Sequence, residues 1–404
     1  MSAPRILMYC SSNRGLGRTA RILGIAAALS QRLRNSSILV LTDLATIGRF
    51  KLPERVDFVH LPALQASLSN SPKYGLRTEN GDIPRLRQNI LTGALKAFRP
   101  NLVWLDDSLL HLPAERHRLL SCLRESLPET KIAWGVSDTL GHPEHVLREG
   151  SQQDVDEIFD RFADRVFVLG EKNFFDVAKT YRWGDTTAGK LTYTGYLRTA
   201  EKPPRHIGAK LTQFGKRLPL VLMTADGGTE DLFLIDAYLR FLENTRMEVY
   251  SLIVAGLGLS STAKRSLMRR VQALPHVTFK RFSKHLLAYV QCADAVICTG
   301  EYNIASEVLA HRKAALFIPH AVQQPDNFHR AQGLQERGLV SVSTREDFQP
   351  DTITEFLGKS LRAASHGFAS KWYDEITFDG YNQIAEHIQE LIGSSPQLEA
   401  IVAS

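Results

Sequence analysis

The sequence predicts an α/β protein built from two parallel sheets in tandem, and three observations carry that reading. Short apolar, β-branched or aromatic runs alternate with longer helical patterns along the chain, the signature of repeated strand–helix–strand units. A polar stretch with paired prolines, "TAEKPPRHIGAKLTQFGKR" (199–217), divides the series in two. The 404 residues, 44% of them hydrophobic, suffice for two domains that each bury a core.

Before the divide, "RILMYC", "SILVLT", "VDFVHL", "LVWLDD", "KIAWGVSD" and "RVFVLG" read as strands; after it, "LPLVLMTADGG", "EVYSLIVAG", "HVTFKRF", "DAVICTG" and "AALFIPH" do. In such sheets ligands collect beyond the carboxyl ends of the strands. The positions of interest are therefore 11–18, 106–107, 138, 226–229, 282–283, 299–307 and 320–327. Two Rossmann-like sheets facing one cleft hold a substrate from both sides. The expected organisation is a first domain over 1–200, a linker over 201–217, a second domain over 218–376, and a terminal helical segment over 377–404. In that segment Ile384, Ile388, Leu391 and Ile392 fall at helical spacing and give it a face to bury.

Charge and cysteine usage narrow the class. Lys and Arg number 49 against 43 Asp and Glu, a net +6 with no long basic run, so a nucleic-acid partner is not expected. A phosphorylated substrate or an anionic membrane surface suits the excess equally. Cys10, Cys122, Cys292 and Cys298 form no C-x-x-C pair, which points to core thiols in a reducing compartment and away from a metal site. The apolar run 6–10 is too short for a signal-peptide core and nothing approaches a membrane span of about 18 to 20 apolar residues, so a cytoplasmic protein is expected. The helix "RTARILGIAAALSQRLR" carries Arg18, Arg21, Arg32 and Arg34 around an apolar middle. It reads either as a core helix with a solvated rim or as a peripheral membrane contact.

The stretch "MYCSSNRGLGRTARILGIAAAL" places Gly15, Gly17 and Ala20 in the spacing G-x-G-x-x-A, with Asp43 after the next apolar run. Read literally, this is a dinucleotide fingerprint and implies an NAD-dependent oxidoreductase. In that fold, however, the first glycine stands at the strand's end, so that a tight turn delivers a pyrophosphate to the helix start. Here "SSNR" intervenes between Cys10 and Gly15. A loop of this length suits reaching across a cleft, and its glycines also let a helix start close to the sheet.

The segment 299–340, "TGEYNIASEVLAHRKAALFIPHAVQQPDNFHRAQGLQERGLV", resembles the nucleotide-sugar-binding segment of GT-B glycosyltransferases, in particular the peptidoglycan N-acetylglucosaminyltransferase family and its predicted-glycosyltransferase relatives. Their pattern reads G-G-Y-N-T, a glutamate, a-L-x-x-x-K-x-A-L-x-x-P, a Glu-Gln pair and R-A. The chain supplies Tyr302, Asn303, Glu307, Leu309, Lys313, Ala315, Leu316, Pro319, Arg330 and Ala331 in that order. The likeness extends through "FVLGEKNFFDVAKTY" and "LTYTGYLR" to "GLGRTAR", where the family has G-x-G-H-x-x-R.

The resemblance implies an inverting, metal-independent transfer of a sugar from a UDP-sugar, with no cofactor, to an acceptor held by the first domain. It also implies that the terminal helical segment returns to the first domain. It places Glu307 on the donor ribose, and Gly300, Tyr302 and Asn303 at a helix start that aims backbone N–H groups at the diphosphate. Phe282 and Ser283 border the uracil, Gly227 and Gly228 let backbone approach phosphate or sugar, and Gln324, Asp326 and Asn327 line the donor. Gly15, Gly17, Asp106 and His142 fall on the acceptor side, with the loop 64–84. Two departures matter. Arg18 stands where the family has histidine, and a guanidinium cannot act as a base near neutral pH; Asn327 stands where the family has glutamine. Asp138 is then the first candidate base, with Asp106, Asp107 and His142 behind it and Arg18 as an electrostatic group. Three other classes share parts of this reading: a UDP-sugar epimerase, a UDP-binding regulatory protein without turnover, and the NAD enzyme.

Overall fold

The computed structural model describes residues 3–11, 17–44, 47–63, 82–106, 113–141, 143, 151–205, 218–225, 232–256, 259–322, 324–363 and 370–393. Two all-parallel sheets stand in tandem. The first contains β1 (Arg5–Cys10), β2 (Ser37–Thr42), β3 (Val56–His60), β4 (Leu102–Asp106), β5 (Lys131–Ser137), β6 (Arg165–Leu169) and β7 (Leu191–Tyr193), in the order β3-β2-β1-β4-β5-β6-β7. The second contains β8 (Leu220–Thr224), β9 (Tyr250–Val254), β10 (Val277–Lys280), β11 (Ala295–Cys298), β12 (Ala314–Phe317) and β13 (Ser341–Val342), in the order β10-β9-β8-β11-β12-β13. Each order reverses beside its first strand, between β1 and β4 and between β8 and β11, and such a reversal opens a crevice at the strands' carboxyl ends.

The helices of the first half are α1 (Gly17–Arg32), α2 (Asp82–Phe98), α3 (Pro113–Ser126), α4 (Ser151–Phe162), α5 (Val177–Thr180) and α6 (Asp185–Gly189). Those of the second half are α7 (Leu232–Asn244), α8 (Ser261–Gln272), α9 (Leu286–Cys292), α10 (Tyr302–Ala310), α11 (Pro325–Glu336), α12 (Pro350–Ala363) and α13 (Gly380–Gly393). No helix among the described residues is long and apolar enough to cross a membrane.

Strand residues divide by parity, as a two-residue period demands. Leu7 and Tyr9 of β1 join Leu105, Trp134 and Phe159 on one face of the first sheet. Ile6, Met8 and Cys10 join Trp104 and Phe167 on the other, and this second cluster continues through Tyr302, Ile304, Leu334, Leu222 and Leu252 of the second domain. One core thus runs across the domain seam. The domains meet as packed surfaces, not as bodies on a tether.

Helix α13 seals the seam from outside. Its Ile384, Ala385, Ile388 and Ile392 are buried with Ile22, Ile25 and Leu29 of α1, and Arg32 donates to Gln389 Oε1 at 2.7 Å and to Glu386 Oε1 at 3.0 Å. Leu391 is only partly buried. Arg21 is also buried and Arg18 is paired to a carboxylate, so these two arginines of α1 serve contacts within the chain. The fingerprint's Asp43 is likewise engaged: its Oδ2 accepts from Ser11 Oγ at 2.7 Å and from the buried Arg87 Nη1 at 3.0 Å. A dinucleotide ribose would have to compete with both.

The two helices touch because Gly24 has no side chain; a Cβ there would lie 2.5 Å from Cζ of Tyr381. Gly24→Ala should therefore cost about 1 to 3 kcal/mol by overpacking. Thermal or denaturant unfolding checks this, and Tyr381→Ala in the same chain should recover part of the loss.

Candidate functional site at the domain seam

The first turn of α1 meets the first turn of α10. Gly17 opens α1, and a Cβ on it would fall 2.4 Å from Nδ2 of Asn303 and 2.8 Å from Oε2 of Glu301. A cation at a helix start is unfavourable by itself, yet α1 carries Arg18 and Arg21 there. Asp106, at the end of β4, accounts for both. Its Oδ1 lies 2.7 Å from Arg18 Nη1 and its Oδ2 lies 2.7 Å from Arg21 Nη2, while Arg21 Nη1 donates to Ser137 Oγ at 3.1 Å. Two cations thus share one carboxylate. Arg18 keeps 27% of its side chain exposed, against 3% for Arg21.

Beside this cluster a second ion pair crosses the seam. Asp138, just beyond β5, is 1% exposed, and Arg330 of α11 is 0% exposed. Arg330 Nη2 lies 2.7 Å from Asp138 Oδ1, and Nε donates to Oδ1 at 2.8 Å and to Oδ2 at 3.1 Å. Tyr196 Oη donates to the same Oδ2 at 3.1 Å. Arg330 Nη1 is consumed by the Gly300 carbonyl at 3.1 Å and Asn327 Oδ1 at 3.0 Å. Burial by itself lowers the basicity of Arg330, and the Asp138 carboxylate more than reverses this. The ring of Tyr302 stacks on Tyr196 and has two guanidinium groups near its centroid, Arg21 at 5.7 Å and Arg330 at 5.6 Å. Burial pushes both tyrosine hydroxyls well above their ordinary range.

This geometry corrects the reading of Asp138 as a free base. Its two oxygens already accept from Arg330 and Tyr196, and no face of it is open to solvent. Asp106 is similarly committed to two arginines. The third imagined feature, free N–H groups at the start of α10, is also altered. The Glu301 carboxylate accepts from the backbone N–H groups of Asn303 at 3.0 Å and Ile304 at 3.4 Å.

Glu307 is buried on α10 at 1% exposure. Its Oε1 accepts from the Thr199 N–H of the interdomain connection at 2.5 Å. Its Oε2 has no hydrogen bond and faces His311 Nε2 at 3.4 Å. Burial raises this carboxyl above the usual carboxylate range, partly offset by His311 and the Thr199 N–H.

Phe282 is partly buried beneath residues of the first domain, with the Arg49 guanidinium 5.1 Å from its centroid and Phe50 edge-on at 6.2 Å. Ser283 is buried and its Oγ accepts from the His285 N–H at 3.2 Å. Asp326 and Asn327 lie in the first turn of α11, and a Cβ on Gly141, whose φ is +124°, would lie 3.5 Å from Cβ of Pro325 and 3.7 Å from the Asp326 nitrogen. Gln324 is the N-cap position of that helix. Gly15, Asp107, His142, Gly227, Gly228 and the loop segment 64–81 lie outside the described residues.

The parts that the sequence reading left without a role are Arg21, Tyr196, Thr199, Glu301 and Arg330. Arg330 was visible as a matched position and Arg21 lies one turn beyond Arg18. Nothing in the sequence marks their partners, which stand 85 and 192 positions away. Asp138→Ala should leave a buried, unpaired guanidinium and cost about 3 to 5 kcal/mol. Asp138→Ala with Arg330→Met should cost much less than the single change, and chemical denaturation of the three chains measures the difference.

No protein-family model and no curated protein matches the chain. Solved structures do. CalG4, the calicheamicin glycosyltransferase, superposes with a TM-score of 0.57 at 15% identity over 100% of this chain and 98% of its own. MurG of Acinetobacter baumannii gives 0.57 at 11% identity over 96% and 100%. A structure assigned as a UDP-N-acetylglucosamine 2-epimerase from Listeria monocytogenes gives 0.60 at 11% over 98% and 96%. Its neighbours are thus glycosyltransferases with an epimerase among them. With two parallel Rossmann-like sheets packed across one seam, and with such neighbours spanning the whole chain, the protein has the GT-B fold.

Proposed function

We propose that the chain is a glycosyltransferase that takes a sugar from a UDP-sugar held by the second domain and passes it, with inversion and without a metal, to an acceptor held by the first. The observation that carries this is helix α10. It brings a buried carboxylate with one oxygen lacking any hydrogen bond, on Glu307, to the same seam as the cation pair of α1. A carboxylate oxygen of that kind suits the paired hydroxyls of a ribose, which donate. The step itself is a single displacement: the acceptor oxygen bonds to the anomeric carbon as the bond to the diphosphate oxygen breaks. The leaving diphosphate carries the negative charge away, and the guanidinium groups at the start of α1 meet it.

A base must take the acceptor's proton. Asp138 and Asp106 are bound to arginines, so in this reading the role passes to His142. The loop before it is firmly held: Tyr181 Oη accepts from the Leu140 N–H at 2.8 Å, donates to the Gly141 carbonyl at 2.7 Å, and lies 2.9 Å from Thr139 Oγ1. That anchoring brings the chain to α11 one residue before His142.

A second reading, a UDP-binding regulatory protein, draws support from the ion pair between Asp138 and Arg330, because it engages Asp138, the first candidate base. His142→Asn separates the two. In a glycosyltransferase it should lower turnover of a UDP-sugar by at least about a hundredfold and leave UDP affinity unchanged; a protein without turnover has nothing to lose.

Calorimetric titration tests the donor site directly. Glu307→Ala should weaken UDP binding about ten- to hundredfold. Equal affinity in parent and variant, or tight NADH binding with none for UDP, overturns the proposal. Glu307→Gln adds a pH signature. The folded protein holds the Glu307 proton more tightly than the unfolded chain, so parent stability falls as pH rises above the ordinary carboxyl range. The variant lacks this loss, and its melting temperature should exceed the parent's by a margin that opens as pH rises and closes in acid.

A further inference from the structure

The start of α10 is where a diphosphate sits if the donor reading holds, and it already has an occupant. Glu301 is the N-cap of α10, with its carboxylate folded back over the helix start. It takes the N–H groups of Asn303 and Ile304 and also the Asn303 side-chain amide, at 2.5 Å. Glutamate is not among the residues that ordinarily cap helices; the shorter Ser, Thr, Asp and Asn are. Here the turn is set by Gly300 at φ +80°, tight against Phe317, and the space is provided by Gly17, whose missing Cβ would crowd Glu301 Oε2.

A second observation on the same helix points to an incoming ligand. Glu307, 1% exposed, keeps one carboxylate oxygen without a hydrogen bond. The helix therefore presents a filled anion seat at its start and, farther along, a carboxylate oxygen that makes no hydrogen bond and has His311 Nε2 at 3.4 Å. Where the resembling family has glycine in G-G-Y-N, this chain has Glu301. The facing helix brings two arginines, Arg18 and Arg21, to Asp106.

We propose that Glu301 is a built-in competitor for the phosphate part of the ligand. Its carboxylate holds the anion seat in the free protein, yields it to a nucleoside diphosphate, and returns when the diphosphate leaves. It sets affinity for the phosphates and leaves the nucleoside part untouched. This rests on the donor reading above, with UDP as the phosphorylated ligand.

The test is a calorimetric titration of parent, Glu301→Gln, Glu301→Gly, Glu301→Asp and Glu307→Ala with UDP and with uridine. Removing the competing charge should tighten UDP binding about tenfold or more in Glu301→Gln and Glu301→Gly. Uridine binding should stay at the parent value in both, and Glu301→Asp, which keeps a capping carboxylate, should match the parent for UDP. UDP binding that is unchanged or weaker in Glu301→Gln and Glu301→Gly, while Glu307→Ala still loses it, overturns the competitor and leaves the donor site standing. An equal gain for uridine and UDP also overturns it, since that marks a general loosening. If neither ligand binds any of the chains, the donor reading falls and the competitor falls with it. Thermal melts of the two neutral variants separate a lost cap from a lost fold.

Discussion

The ion pair between Asp138 and Arg330 is the constraint around which the two domains are arranged. Taking both charges out of water costs several kcal/mol for each, and their attraction returns this only when the geometry is good and the remaining donors and acceptors are filled. Here most are filled: Tyr196 supplies Asp138, the Gly300 carbonyl and Asn327 take one arm of Arg330, and its other arm faces Asp138 Oδ1 at 2.7 Å. Such a pair contributes little net stability over an apolar contact. Its effect is on register, because any other docking of the two domains leaves a buried charge alone.

The neighbouring contacts follow from that register. With α11 fixed against the end of β5, Tyr302 comes within cation–π distance of Arg21 and Arg330 and stacks on Tyr196. The starts of α1 and α10 are pressed together at Gly17, and Glu307 reaches the Thr199 N–H. Carboxylates and guanidinium groups alternate along the seam, each engaged by the other domain or by its own. A ligand that enters here exchanges partners with groups that are mostly engaged already, while Glu307 Oε2 has no hydrogen bond to give up. Its affinity is the difference between the contacts it makes and those it displaces, and this is why a single carboxylate at the start of α10 can set it.

Much of the fold was legible in the sequence because parallel strands covered on both faces must be continuous apolar runs, and runs such as "RILMYC" and "AVIC" have no other use. The two strands missing from the sequence reading, β7 with three residues and β13 with two, lie at the outer edges of their sheets. They are too short to carry a period and owe their conformation to the neighbouring strand. The candidate site was legible in part. Motif spacing singled out the starts of α1 and α10, which the fold does bring together. It assigned Asp138 to chemistry because a carboxylate at a strand's end is suited to it, and no local pattern reveals an arginine 192 positions away.

The sequence alone determined the class of architecture, the division into two sheets, the apolar face of α13 and the strand ends at which polar groups gather. These are properties of local period and composition, set by the geometry of strand and helix. Only the tertiary structure decided which of the gathered groups are spent on one another. Asp106 takes Arg18 and Arg21, Asp138 takes Arg330, Asp43 takes Arg87, and Glu301 takes its own helix start. The physical reason is that a charge's role depends on the partner within about 4 Å, and that partner is set by how distant segments pack.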